Sequence, residues 1–361
     1  MTLIIQPYSF WKGHYFEYLK NIDSKNNYKI YCDEKSKNMK NSIFIKCFKI
    51  NYSKNIFLFF FARLLNFLKT IFYTTFKVKK EIKLKHDTVH FLEFEPISIL
   101  TFVLINLFNL PKILITIHSV KPSLYKSFFK NILVYVQRFI FLFVIILLNF
   151  FKVKLIVHSK IHKKNLSIFF KKKIYVINYP CKKVNIKIKK KKKITKILFF
   201  GLVREDKGIL NFLNEVNLNK FKLSIIGKMS VSDLNFISDL NNKNIFVKNS
   251  YIKENQIKKI FLSHDYLVLP YTKKYAGSAG PMFLALSYGL PIICSKIDIF
   301  KSFLKTYKVG KLYDPKTFEK NLLKINNNEY YSLSKKAHSY SKKNNWKHLS
   351  LNYNNIYNNL S

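Results

Sequence analysis

Acidic residues are scarce in this chain. Nineteen Asp and Glu stand against 64 Lys and Arg, which leaves a formal net charge of +45 over 361 residues. The surplus of Lys, Asn, Ile, Phe and Tyr follows from AT-rich coding, but Asp and Glu codons are no poorer in A and T than average. The missing acids are therefore a property of the protein. Arginine is rarer still, with only Arg63, Arg138 and Arg204. The four cysteines (Cys32, Cys47, Cys181, Cys294) form no CxxC, which excludes a disulfide framework and reads as a reducing compartment. No apolar run approaches the roughly 20 residues of a membrane span. The opening MTLIIQPYSFW has no basic segment ahead of an apolar one, so it reads as a first strand and the expected location is the cytoplasm. No GxGxxG follows that strand and no GxxxxGK[ST] occurs, which argues against dinucleotide enzymes and P-loop NTPases. Zinc spacing, an RNA-binding aromatic signature and a basic zipper are all missing, so nucleic acid is not the expected partner. No cluster has metal-ligand spacing, and no metal or cofactor is required.

The hydrophobic content of 48% is that of a globular chain long enough for two cores. Short apolar runs alternate with helical patterns. Strands are expected at 3–6, 28–32, 43–48, 88–91, 113–117, 155–157 and 174–177, then at 197–200, 223–226, 245–247, 266–269 and 291–294. Such alternation predicts parallel sheets. The basic run 182–196 (KKVNIKIKKKKKITK) reads as a linker. It separates an N-terminal domain, 1–181, from a C-terminal domain, 197–329. A helical segment, 330–361, is expected to pack back across them. The apolar stretch Phe139–Phe151 is only about a dozen residues long, too short for a span, and is expected to be a buried helix, with a membrane-dipping helix as the alternative. The stretch Ile56–Phe76, with Arg63, Asn66, Thr70 and Thr74 in one stripe, suits a core helix or one lying in a lipid interface.

Two segments carry chemistry. In ILFFGLVREDKGI (Ile197–Ile209) a strand ends at Gly201 and a turn bearing Arg204 and Lys207 leads to Gly208 and a helix. Open parallel sheets bind ligands at the carboxyl ends of their strands, so this arginine and lysine hang over a ligand. Arg offers a fork of fixed donors and Lys a point charge, a pair suited to a diphosphate. In LPYTKKYAGSAGPMFLALSYGLPII (Leu269–Ile293) a second strand leads through Gly277, Ser278, Ala279 and Gly280 to Pro281, well placed to open a helix. Unpaired N–H groups at a helix start receive phosphate.

These segments resemble the donor domain of two-domain GT-B glycosyltransferases of the group 1 or family 4-like set. The likeness covers Ile197–Ser295 sharply and the first half only in outline. It implies an α/β chain of two Rossmann-like, doubly wound parallel-sheet domains facing a cleft. It also implies a nucleotide-sugar donor held by Gly201, Arg204, Lys207, Tyr271, Ser278, Ala279 and Gly280, with Gly13 of SFWKGHY brought against it. One departure stands out. Many family 4 members carry two glutamates eight positions apart, and Ala276 and Leu284 stand at those positions here.

A base for the acceptor hydroxyl is expected at an N-terminal strand end. His118 and Glu95 lead the candidates, followed by His14, Glu93 and His90, while His158 is set aside as too near the linker. The resulting expectation is a cytoplasmic hexosyltransferase, peripheral on the inner face of the membrane. It would act on a lipid-linked or oligosaccharide acceptor in surface polysaccharide, capsule or lipopolysaccharide synthesis, and the basic charge would meet an anionic membrane surface. The alternatives are a GT-B epimerase or phosphorylase, or a non-catalytic polyanion-binding protein.

Overall fold

The computed structural model describes residues 2–6, 17–19, 21, 28–33, 42–45, 65, 75–76, 88–120, 128–188, 195–275 and 277–360. The chain forms two compact units. One gathers Met1–Val120, Tyr135–Asn178 and Trp346–Ser361, and the other Lys121–Val134 and Tyr179–Asn345.

The first unit is built on β1 (Thr2–Gln6), β2 (Tyr28–Asp33), β3 (Ser42–Ile45), β4 (Thr88–Phe91), β5 (Lys112–Ile117), β6 (Val153–Val157) and β7 (Ile174–Val176). They form one sheet in the order β3-β2-β1-β4-β5-β6-β7, and every pairing is parallel. Alternation along β1, β5 and β6 feeds two cores, one on each face. Leu3, Ile5, Val89 and Phe91 pack with Ile99, Phe102, Val144, Ile145 and Leu148 of the helices Pro96–Ile105 and Phe128–Leu147 and the turn that follows. Ile4, Leu114 and Ile156 point the other way. They are covered by Leu349, Tyr353, Ile356 and Tyr357 of the last helix, Trp346–Asn358. The final helix thus completes the N-terminal unit.

The second unit holds β8 (Thr195–Phe200), β9 (Phe221–Ile226), β10 (Ile245–Lys248), β11 (Tyr266–Leu269), β12 (Ile292–Cys294) and β13 (Gly310–Leu312). Their order is β10-β9-β8-β11-β12-β13, again parallel throughout. All twelve expected strands appear. The three-residue β13 was not anticipated, being too short to register as an apolar run. Cys181 and Cys294 are buried and unbridged, and burial raises both thiol pKa values.

One expectation is corrected. The apolar stretch at 139–151 is not buried all round. It belongs to the helix Phe128–Leu147 and a closing 3-10 turn, and only one side reaches the core, while Phe139, Phe143, Ile146 and Phe150 face solvent. Among the described residues no helix is long and apolar enough to cross a membrane. Apart from 65, 75 and 76, the stretch Ile56–Phe76 lies outside the described residues, as do Gly13 and His14.

Candidate functional site

The chain order of the second sheet reverses between β8 and β11. From β8 it runs outward through β9 and β10, then returns to β11 on the other side of β8. Ligands bind at such a switch point, beyond the carboxyl ends of the strands. Both sequence segments leave the sheet there, one after β8 and the other after β11.

Close backbone approaches knit the two loops together. A Cβ added at Gly201 would lie 3.5 Å from Pro281 Cγ and 3.2 Å from Lys207 Nζ, which puts the end of β8 beside the start of the helix Gly280–Ser287. Gly208 adopts φ +61°, and a Cβ there would meet the Pro270 carbonyl at 2.2 Å. No other residue fits the position without moving β11. Thr272 N donates to Asp206 O at 2.9 Å, tying the loop after β11 to the turn after β8.

Within this frame Arg204 is held from beneath. Its Nε and Nη2 donate to Oδ1 and Oδ2 of the buried Asp206 at 3.1 and 2.8 Å. Two of its five N–H donors are used, and three remain for a ligand. Lys207 bends back over Gly201 and lies 5.8 Å from the centroid of the buried Tyr271 ring. Its pKa is pushed down to about 8, first by burial and then by the neighbouring Arg204 charge, with Asp206 pulling the other way. Two cations thus share one carboxylate at the mouth of the switch point. A bound anion would relieve that excess.

The Gly280–Ser287 helix completes the frame. Its N-cap is the buried Ala279 and no side chain caps it. A Cβ built on Gly280 would meet nothing within 4 Å, so open space lies ahead of the helix start. Ser278 is half-buried in the approach. The Tyr271 hydroxyl is buried with no hydrogen-bond partner, and burial raises its pKa. The structure therefore brings Gly201, Arg204, Lys207, Tyr271, Ser278, Ala279 and Gly280 around one sheet edge.

The first unit also reverses, between β1 and β4. His90 lies in the core, with Nδ1 2.6 Å from Tyr357 Oη and Nε2 2.8 Å from Thr116 Oγ1. Its pKa is lowered to about 3, by burial and then by the nearby His118. Glu95 is the N-cap of Pro96–Ile105 and accepts from Ser98 N at 3.0 Å. His118 is half-buried, and its Nε2 lies 3.0 Å from Leu92 O and 3.8 Å from Glu93 Oε2. Its pKa is lowered to about 4, chiefly by burial. Its Nδ1 faces Nε2 of His158 at 3.1 Å, and that same nitrogen lies 2.8 Å from Tyr18 Oη. His158 Nδ1 in turn lies 2.9 Å from Ile177 O. Carbonyl oxygens only accept, so His118 Nε2 and His158 Nδ1 carry the ring hydrogens. In the neutral pair the two facing nitrogens are both lone pairs, and Tyr18 donates to one of them.

Sequence reasoning missed Asp206, Thr272, Gly227 and the partnership of His158 with His118. Gly227 follows β9 at φ +154°, and a Cβ there would meet Gly201 O at 1.9 Å. Its signal was available, since only eight glycines occur and this one ends a strand. Among the described residues no group of His, Cys, Asp and Glu could hold a metal ion.

Neither a family model nor a curated protein matches the sequence. Solved structures do. Sucrose-phosphate synthase from Thermosynechococcus elongatus superposes with TM-score 0.72 at 14% identity, over 99% of this chain and 98% of that one. Trehalose-6-phosphate synthase, OtsA, gives 0.62 at 10% identity over 99% and 98%. S. aureus TarM, in a complex with UDP and α-GlcNAc-glycerol, gives 0.58 at 17% identity over 80% and 59%. What the chain shares with them is the fold, two parallel-sheet α/β units of the GT-B glycosyltransferase type.

Proposed function

We propose that this chain is a glycosyltransferase that moves a hexose from a nucleotide-diphosphate sugar to a hydroxyl of a glycan acceptor. One observation carries the reading. Arg204, Lys207 and an uncapped helix start converge on the switch point between β8 and β11, with more positive than negative charge among them. Structures of the same fold, one solved with UDP-2-fluoro glucose and one with UDP, support the donor class.

In this reading the bond between the anomeric carbon and the diphosphate oxygen breaks, and negative charge builds on the leaving diphosphate. The three open N–H donors of Arg204, the Lys207 ammonium and the Gly280 N–H that opens the Gly280–Ser287 helix neutralise that charge. No metal is needed, and chelators should leave turnover unchanged. On the acceptor side His118 is assigned the hydroxyl proton, and its depressed pKa keeps the ring neutral at neutral pH. Glu95 is assigned a positioning role as helix cap.

The acceptor is proposed to be a lipid-linked glycan at the cytoplasmic face of a membrane, as in surface polysaccharide assembly. The net charge of +45 supports this, because such acceptors sit among anionic headgroups. The test is release of nucleoside diphosphate from a panel of UDP-, GDP-, ADP- and dTDP-sugars, with and without a bacterial lipid extract. Wild type should release one nucleoside diphosphate in a lipid-dependent way, and Arg204→Ala should release none. Equal release by both proteins would end the reading.

A further inference from the structure

The helix Phe128–Leu147 presents two apolar faces, of which the core uses one. At 3.6 residues per turn, Tyr135, Val136, Phe139, Phe143 and Ile146 fall within an arc of about 100°, opposite Val144, Ile145 and Leu148. All five are exposed, with Phe139 at 71% and Phe143 at 50%, and the row continues through Phe150 at 79%. The Phe139 and Phe143 rings stack at 6.3 Å between centroids, forming a continuous ridge. Phe108, 97% exposed, precedes the start of β5 as Phe150 precedes the start of β6, and Ile113 N donates to Lys152 O at 3.1 Å between these strand starts. The apolar ridge therefore ends at the sheet edge shared by these two strands.

The stretch of chain that carries the ridge has charge of one sign. From Pro96 to Arg204 the chain contains no acidic residue at all. Asn149 fastens the lysine triplet 171–173 to the helix end. Its Oδ1 accepts from Lys171 N at 2.7 Å, its Nδ2 donates to Phe169 O at 2.8 Å, and Lys172 Nζ donates to Phe151 O. Exposed Lys152 completes a basic border beside Phe150. A row of aromatic and aliphatic side chains above a cationic border complements a bilayer interface. The rings enter the acyl boundary and the ammonium groups meet phosphate. Nucleic acid would satisfy the lysines but leave the apolar ridge in water.

We propose that this ridge, from Tyr135 to Phe150 with its lysine border, docks the protein onto a bilayer bearing anionic headgroups. The inference goes beyond the transferase reading and does not need it, because it rests on the first unit alone.

The test uses the full chain and sedimentation with vesicles of phosphatidylcholine, alone or mixed with phosphatidylglycerol. Wild type should sediment with the mixed vesicles and less with phosphatidylcholine alone, and raised salt should weaken the binding. The triple variant Phe139→Ser, Phe143→Ser, Phe150→Ser should lose about a hundredfold or more in partition coefficient. These side chains are exposed, so the variant should keep its circular dichroism and its response to nucleotide diphosphates. The control variant Phe246→Ser, Tyr251→Ser removes exposed rings from the second unit and should bind vesicles like wild type. Several results would overturn the proposal. They are no vesicle binding by wild type, equal loss in triple and control variants, or a ridge that instead holds two copies of the chain together, seen as a dimer that the triple variant abolishes.

Discussion

Asp206 and Arg204 form a two-pronged ion pair in which the carboxylate is buried and the guanidinium half exposed. The buried partner sets the direction of the exposed one. In the proposed reading Asp206 is a positioning residue, and Arg204 is the group that meets the ligand.

That relationship has a thermodynamic signature. Asp206→Asn should weaken binding of a nucleoside diphosphate about tenfold, since a charge-assisted fork becomes a neutral contact. In an Arg204→Ala background the same change should cost almost nothing further. A calorimetric double-mutant cycle measures this coupling, and simple additivity of the two losses would refute the positioning role.

Lys207 gives a pH dependence. In the proposed reading its ammonium is the binding form, and its pKa is lowered to about 8. Affinity for a diphosphate should be level below that pH and fall as pH rises through it. Lys207→Arg carries a cation that does not titrate in this range. Its titration curve should stay flat to about pH 10. A wild-type curve that is also flat would place Lys207 outside the binding reaction.

Two glycines should behave oppositely. Gly227→Ala forces a Cβ against the Gly201 carbonyl at a positive φ, and should cost about 3 kcal/mol or more in urea unfolding. Gly280→Ala meets nothing within 4 Å and should leave stability level or raise it by about 0.5 kcal/mol. If phosphate sits ahead of that helix, Gly280→Ala should nonetheless weaken nucleotide binding. Unchanged affinity would remove the helix start from the site.

The buried histidines set an acid limit. His90 and His118 bind protons more weakly in the folded chain, near 3 and 4, than at the ordinary value of 6.5. The unfolded chain therefore takes up protons first. Stability should be full above about pH 6.5 and decline as pH falls toward 4 and then 3. Chemical unfolding from pH 7.5 to 4 checks the direction, and His118→Gln should flatten part of the slope.

The strands were legible because buried parallel strands read as short apolar runs, and eleven of the twelve lie within two residues of their expected ends. Arg204, Lys207 and Gly280 were legible because their roles follow from a strand, a turn and a helix start in sequence. The rest depends on pairings that one sequence does not display. His158 meets His118 because Ile117 and Val157 are register partners on neighbouring strands, a link made across about forty residues. Gly227 owes its constraint to Gly201 on the adjacent strand, and the support of Arg204 by Asp206 appears only once the turn is folded. The helix Phe128–Leu147 misled for a different reason: uniform apolarity predicts burial, and here the outer face is apolar as well.

The most direct measurement is a calorimetric titration of wild type and Lys207→Ala with UDP, GDP and ADP, beside the corresponding monophosphates. One diphosphate should bind wild type at least tenfold more tightly than its monophosphate, and the difference should collapse in Lys207→Ala. Equal affinity for diphosphate and monophosphate, or a variant that binds like wild type, would mean that the β8–β11 switch point is not a diphosphate site.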